Sequence, residues 1–306
     1  RLVGSEMCIR DSNEALASVI EESIDDYSSQ VKVLYQYGIE TEIVKEEKDV
    51  NEPFNVYISG IDVSGEISTT SRSDVNIIMT VNPKTRKILL TSTPRDYYVP
   101  IPGVSGEQRD KLTHAGIYGV DKSMETLESL YGIDITYYAR VNFTSLMTIV
   151  DALGGVDVQS EYEFEAGGYH FNQGTNHLDG KAALAFSRER HSFEDGDNQR
   201  GRNQEAVLTA ILNKAMSPAI LTKASSIISS VSNSVETNMT SDEMAKFINM
   251  QLSEGGSWQI ESTAAVGNGD TQTCFSSGAQ PLYVMWPDEA SVAMITQKMQ
   301  QILSGQ

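Results

Sequence analysis

The chain has 306 residues, 40% of them hydrophobic, enough for one large globular domain or two small ones. Its 42 acids against 23 bases leave a formal net charge of −19, and the absence of a general basic patch excludes a nucleic-acid surface. No uninterrupted apolar run reaches about 18 residues, so the sequence as given shows neither a membrane span nor a recognisable signal peptide.

Residues 1–12, RLVGSEMCIRDS, read as translated sequencing adapter, the alternative being an ordinary disordered tail. On the adapter reading Cys8 is artificial, Cys274 stands alone, and an upstream anchor is missing from the start of the chain. A single cysteine implies no disulfide framework. Residues 13–53 read as an acidic, helical lead-in and linker, with 10 acids against 3 bases between residues 13 and 50. Residues 54–303 read as the main globular domain.

That domain opens with the buried strand NVYISGID and a polar loop up to Arg72. VNIIMTV and KILLTST follow as two strands joined by Asn82-Pro83-Lys84-Thr85-Arg86, a hairpin-like connection. Antiparallel neighbours place the start of one strand beside the end of the next, so Asp74 and Arg95 are expected at one edge. If NVYISGI also pairs antiparallel with VNIIMTV, then Asp62, Arg72 and Asp96 join them there. KLTHAGIYG and DKSMETLESLYG read as helices, the second with Val120, Met124, Leu127 and Tyr131 on one face. DITYYARV is a strand, and FTSLMTIVDALGG a helix stopped by Gly154-Gly155.

DGKAALAFSR reads as a helix and DNQRGRNQEAVLTAILNKAM as a longer one. Arg200, Gln204, Val207 and Ile211 share nearly one face of it, polar first and then apolar. An anionic head group with a lipid tail fits that face, and so does ordinary core beneath a polar rim. Further on, AILTKASSIISSV and SDEMAKFINMQL are expected helices and SWQIESTAAV a strand. Gly267 to Gln280 is expected to be a loop, and the last helix runs roughly from Asp288 to Leu303.

Arg188, Arg190, Arg200 and Arg202 crowd into 15 residues of a strongly acidic chain. Arginine presents a planar fork of donors that matches phosphate bidentately, so the crowding points to an anionic ligand; a solvated charged face is the alternative. Asp62 and Asp74 are the best metal candidates, since Mg²⁺ takes one or two carboxylates and leaves its other positions to water and phosphate oxygens. An Asp–Arg network without metal is the alternative. His114, His170, His177 and His191 follow no metal spacing, and P-loop, GxGxxG and GxSxG motifs are absent.

Taken together and in order, NVYISGID, SRSDVNIIMTVNPKTRKILLTSTPRDYYVPIP, DKLTHAGIYGVDKSMETLESLYGIDITYYARVNF, VDALGGVDV, HLDGKAALAFSRER and GDNQRGRNQEAVLTAIL resemble the LytR-CpsA-Psr family, most of all its CpsA-type capsule members. The resemblance covers about residues 54–216 motif by motif. It implies an α/β fold, a central mixed sheet flanked by helices in an α-β-α sandwich, with an apolar lipid-binding cavity. It also implies a membrane-anchored, extracytoplasmic phosphotransferase that moves a capsule or wall glycopolymer from an undecaprenyl-pyrophosphate carrier onto a peptidoglycan hydroxyl.

On that resemblance Asp62, Asp74 and Arg95 are the catalytic residues, with Asp62 and Asp74 binding Mg²⁺ (or Mn²⁺). Arg72, Arg95, Lys111, Arg188, Arg190, Arg200, Arg202 and Gln204 are the pyrophosphate contacts, and Asp96 matches a motif position. Leu146, Ile149, Val150, Val207 and Ile211 line the lipid pocket. A polyprenyl-pyrophosphate hydrolase and a non-catalytic lipid-binding regulator are the competing readings of the same residues.

Overall fold

The computed structural model describes residues 31–36, 40–45, 48–61, 71–194 and 196–306. Residues 1–12, and the rest of the lead-in before Val31, lie outside the described residues. The chain divides after Asp49 into two units. In the first, Val31–Gln36 (β1) and Glu40–Lys45 (β2) form an antiparallel hairpin, Val31 opposite Lys45 and Gln36 opposite Glu40. This corrects the helix expected there. Val31, Val33 and Tyr35 recur with the two-residue period of a strand, and β-branched and aromatic side chains favour a pleated backbone. The neighbouring acidic clusters masked that period.

The second unit starts at Val50. It runs through β3 (Phe54–Ile61), β4 (Ser73–Asn82), β5 (Lys87–Ser92), β6 (Tyr98–Val99), β7 (Asp110–Lys111), α1 (Leu112–Ala115) and α2 (Val120–Tyr131). β8 (Tyr137–Val141), α3 (Phe143–Ala152), β9 (Val156–Ser160), β10 (Phe164–Ala166), β11 (Tyr169–Phe171), β12 (Gly174–Leu178), α4 (Gly180–Arg188) and α5 (Gly196–Ala215) follow. The remainder is α6 (Pro218–Leu221), α7 (Ala224–Val231), β13 (Glu236–Thr237), α8 (Ser241–Glu254), β14 (Gln259–Ala264), β15 (Gly267–Thr273), β16 (Pro281–Pro287) and α9 (Glu289–Ser304).

Six of these strands form one mixed sheet in the order β13-β8-β3-β4-β5-β14. β4 is antiparallel to both its neighbours, β3 and β5, while β8 lies parallel to β3 and β14 parallel to β5. The turn between β4 and β5 is held by Asn82, whose Oδ1 accepts from the Thr85 N–H at 3.1 Å, the local bond that makes asparagine a turn former. Both faces of the sheet are covered. On one, Tyr57, Ile78 and Leu89 pack with Leu127 and Tyr131 of α2 and with Ile295 and Met299 of α9. On the other, Val56, Ile77 and Leu90 pack against Leu208 and Leu212 of α5 and Phe247 of α8. The result is the α-β-α sandwich expected from the sequence.

A third apolar cluster joins α3, α4 and α5 to the ribbons β9–β12 and β10–β11. The stretch expected as a loop from Gly267 to Gln280 is corrected too: its first half is β15, paired antiparallel with β16. β15 is exposed at most of its positions. A strand that buries neither face has no need of apolar alternation, so Gly, Asn, Asp, Thr and Gln hid it.

Candidate functional site

The site is built at the rim where β3 and β5 end and β4 begins. Ile61 pairs with Ser73 across a register shift after Gly60. A Cβ on Gly60 would lie 2.7 Å from the Val75 Cβ, so the close strand approach at this rim requires glycine. Behind the rim the Tyr57 hydroxyl donates to Asn76 Oδ1 at 2.7 Å and lies 2.9 Å from Ser73 Oγ, which in turn meets Ser59 Oγ at 2.8 Å. Burial pushes the Tyr57 hydroxyl above its ordinary range, so it stays a donor. This buried network pins the start of β4, and with it Asp74.

Asp74 Oδ1 accepts from Arg95 Nη1 at 2.8 Å. Arg95 Nε lies 3.9 Å from Asp96 Oδ2, and Lys111 Nζ lies 2.6 Å from Asp96 Oδ1. Asp74, Arg95, Asp96 and Lys111 thus form one alternating chain of charge, all partly buried. The backbone carries it, since Thr113 N donates to Arg95 O at 2.9 Å and Leu112 N to Tyr97 O at 2.8 Å. The convergence of Asp74 with Arg95 expected from the hairpin is present. Arg72 sits on the same rim, exposed, and forms no ion pair with any described residue. The turn after α1 packs tightly on this stretch of backbone, because a Cβ on Gly116 would lie 2.5 Å from Ser71 O and 3.0 Å from Ser73 N. Asp62 lies outside the described residues.

The arginine-rich segment divides between two helices. Arg188 ends α4 and holds its guanidinium 4.3 Å from the centre of the Phe143 ring. Arg190 follows, exposed, and Arg200 lies in the first turns of α5. Gln204 Nε2 donates to Ser187 O at 3.4 Å and Asn203 Nδ2 to Phe186 O at 3.3 Å, which seats α5 against the end of α4. A Cβ on Gly201 would lie 3.9 Å from Ser92 Oγ. The first turns of α5 therefore meet the end of β5, three residues before Arg95. Arg202 is different: it donates from Nε to Gln199 Oε1 at 2.8 Å and lies 3.3 Å from Glu161. Its charge serves an ion pair with the β9–β10 turn.

Leu146, Ile149, Val150, Val207 and Ile211, expected to face a lipid, all belong to the α3–α4–α5 cluster; Val150 and Val207 are fully buried and the other three partly so. The apolar side of α5 thus continues directly from its polar first turn.

Two features escaped the sequence reading. Glu205 is buried, and its Oε1 has no hydrogen-bond partner. Burial raises its carboxyl to about 8 against the pull of Arg202, so it is neutral at pH 7 and does not cancel the neighbouring guanidinium charge. Burial without a partner depends on what other elements stack over the helix, which no local spacing reveals. The second feature is Asp110, fully buried, whose Oδ1 lies 2.6 Å from His114 Nδ1 and whose Oδ2 accepts from Ser276 N at 2.9 Å. Burial pushes the Asp110 carboxyl up, but hydrogen bonds from His114, Ser276 and the Lys111 N–H outweigh it and hold the group below its ordinary range. Ser276 Oγ reaches the same His114 Nδ1 at 2.9 Å. A nucleophilic triad needs the serine on the other ring nitrogen, so this trio is a structural clamp. Cys274 beside it is buried, and burial raises its thiol.

No group of three or more His, Cys, Asp or Glu side chains is arranged to hold a metal among the described residues. Mg²⁺ does not require one, because one or two carboxylates suffice when phosphate oxygens complete its shell. Among the described residues Asp74 offers hard carboxylate oxygens at the rim, the donor type that Mg²⁺ takes.

The described residues thus form a mixed-sheet α-β-α domain with a rim of alternating cations and carboxylates, next to the helix that carries Arg200 and Gln204. The chain belongs to the LytR_cpsA_psr family, whose model matches residues 18–301. It is 38% identical over 208 residues to the polyisoprenyl-teichoic acid–peptidoglycan teichoic acid transferase TagU of Bacillus mycoides (strain KBAB4), a match covering 68% of this chain and 66% of that one. The chain therefore spans just under two thirds of that relative's length. Among solved structures, B. subtilis TagV superposes with a TM-score of 0.70 at 26% identity, covering 83% of this chain and 98% of TagV. TagT bound to LI-WTA gives a TM-score of 0.65 at 26% identity, covering 85% of this chain and 94% of TagT.

Proposed function

We propose that this protein is a phosphotransferase that moves a glycopolymer from a polyprenyl-pyrophosphate carrier, undecaprenyl in the fullest form of the reading, onto a sugar hydroxyl of peptidoglycan. The observation that carries it is the Asp74–Arg95–Asp96–Lys111 chain at the rim, with separations of 2.6–3.9 Å, joined through Gly201 and Ser92 to the helix that bears Arg200 and Gln204. The name of the TagU relative, and TagT's binding of LI-WTA, support a wall polymer of the teichoic type. A capsule polymer fits the same chemistry.

In this reading Arg72, Arg95, Lys111, Arg188, Arg190, Arg200 and Gln204 grip the pyrophosphate, and the α3–α4–α5 cluster receives the polyprenyl chain. The acceptor oxygen forms a bond to the sugar-proximal phosphorus. The bond from that phosphorus to the bridging oxygen breaks, polyprenyl phosphate leaves, and the hydroxyl proton passes to a carboxylate, Asp74 or Asp62. The product is a phosphodiester. Asp74 and Asp62 would hold Mg²⁺ (or Mn²⁺), which supplies charge neutralisation at the pyrophosphate when bound. Positioning and preorganised charge carry the rate, because phosphoryl transfer asks little covalent chemistry of the protein. The protein would act at the extracytoplasmic face of the membrane; among the described residues no helix is long and apolar enough to cross it.

The test is transfer of a lipid-linked glycopolymer to peptidoglycan by the purified protein, with the phosphodiester product read by mass spectrometry. Release of polyprenyl phosphate together with the phosphodiester supports the reading. Release of free phosphorylated polymer regardless of peptidoglycan would make the protein a hydrolase, and tight lipid binding without turnover in Mg²⁺ would make it a receptor.

A further inference from the structure

A cavity of about 520 Å³ opens between β6, the turn at residues 107–109 and the β15–β16 hairpin. It falls within the roughly 300–1,000 Å³ of small-molecule sites. No residue named for the reaction lines it. Tyr98, Phe275 and Trp286 supply aromatic surface, and Glu107, Arg109 and Gln272 supply donors and acceptors. Phe275 is 39% exposed although it is a large apolar side chain, so the wall presents a ring to whatever enters.

The lining chemistry excludes most ligand classes. An acyl or prenyl chain gains nothing from a wall rich in carboxylate, guanidinium and amide groups. A phosphate or polyanion would meet one cation, Arg109, which is already stacked 5.4 Å from the centre of the Trp286 ring and donates to Tyr98 O at 3.1 Å, with Glu107 opposing the anion. A neutral sugar matches both halves of the wall: a pyranose ring has an apolar C–H face to lie on an aromatic ring and equatorial hydroxyls to pair with Glu, Gln and Arg.

The walls are also fixed. Tyr98 donates from its hydroxyl to Thr273 O at 2.8 Å and meets the Trp286 ring edge-on at 4.9 Å. Phe275 N donates to Arg109 O at 3.0 Å, and the Asp110–His114–Ser276 clamp holds the next residue. A pocket whose polar groups are held in place spends little ordering entropy on binding. It is tied to the rim as well: Tyr98 pairs with Lys111 across the β6–β7 ribbon, and Met285 N, next to Trp286, donates to Asp96 O at 2.8 Å. Asp96 and Lys111 are the last two members of the charged chain.

We infer that this cavity is a saccharide subsite, in which Trp286, Tyr98 and Arg109 hold a pyranose unit of the acceptor glycan next to the one that reacts. Sugar binding stands on the cavity alone; the assignment to the acceptor rests on the function proposed above. The first experiment is calorimetric titration with a soluble β-1,4-linked N-acetylglucosamine tetramer. Saturable binding is expected, weakened about tenfold by Trp286→Ala and by Arg109→Ala and retained in Arg95→Ala. No saturable binding, or binding indifferent to both cavity variants, overturns the subsite. Should Trp286→Ala fail to fold in a thermal melt, Gln272→Ala on the exposed hairpin is the replacement and carries the same expectation. The second experiment measures transfer. In the cavity variants the KM for soluble peptidoglycan fragments is expected to rise about tenfold while the KM for the lipid-linked donor holds; a rise in the donor KM instead overturns the acceptor assignment. Tetramer binding through Trp286 in a protein with no transferase activity would leave the subsite standing and remove the proposed function.

Discussion

The rim from Asp74 to His114 and the helix pair from Arg188 to Gln204 carry charge in opposite ways. At the rim, Asp74, Arg95, Asp96 and Lys111 alternate in charge along strand ends that the sheet register fixes, and each of the four has an oppositely charged neighbour within 4 Å. On the helices, four arginines stand close in sequence and then part company: Arg188 stacks on Phe143, Arg190 turns its Nε to His191 Nε2 at 3.4 Å, Arg202 turns to Glu161, and Arg200 lies with Gln204 in the first turns of α5. The lesson is that a dense run of one residue type does not make a site. What the fold does with each side chain decides whether its charge faces a ligand or serves a local contact.

Substitutions put this difference at risk in order of size. Arg95→Ala is expected to lower transfer by about 10²–10³-fold, the usual effect of removing one preorganised charge from a phosphoryl or acyl site; activity near wild type in the donor assay would erase the distinction between rim and helices. Asp110→Ala is expected to cost about 3 kcal/mol and roughly 10 °C in Tm by thermal unfolding, since it leaves His114 and two N–H donors without their buried acceptor. Because the Asp110 carboxyl is held below its ordinary value of 3.8, its contribution is complete above that value and is lost as pH falls through the folded value. The variant should therefore lose less stability on acidification than the parent.

Glu205→Gln works in the other direction. The folded carboxyl sits near 8 against an ordinary 4.5, so keeping it buried costs nothing below pH 4.5 and progressively more up to pH 8. Gln is expected to add about 2–3 kcal/mol at pH 7 and to flatten the decline in denaturant stability between about pH 5 and pH 8; an unchanged slope would mean that Glu205 is not held neutral. Arg202→Ala is the smallest effect, within about threefold in transfer and under about 1 kcal/mol in stability, as for an exposed ion pair. A loss matching that of Arg95→Ala would return Arg202 to the pyrophosphate.

The convergence of Asp74 and Arg95 was legible because a short connection between two apolar strands leaves the chain one way to pair, and pairing alone sets which ends meet. Helix positions were legible where a cap stood at the start, as with Asn142, Asp179, Thr240 and Asp288, each of which accepts from a backbone N–H three residues on. The β15–β16 hairpin was not, since exposed strands need no apolar period. Nor was the Asp110–His114–Ser276 clamp, whose partners lie 162 residues apart between His114 and Ser276. Of the candidate site, the paired rim could be read. The departure of Arg202 and the neutral Glu205 could not, because both depend on neighbours contributed by other elements.

Helix α9 closes one face of the sheet, with Ile295 and Met299 against Tyr57, Ile78 and Leu89, and Asn82 Nδ2 donating to Ile302 O at 2.7 Å. Synthesis delivers that helix after every other described element. Until it emerges, that side of β4 and β5 is covered only in part, by Leu112 of α1, Leu127 and Tyr131 of α2, and Tyr97 and Val99, and the strands that carry Asp74 and lead to Arg95 rest on an incomplete core. A nascent or clipped chain lacking α9 therefore presents bare sheet to chaperones and proteases, and the strands that carry the rim are fully backed only once this helix has docked.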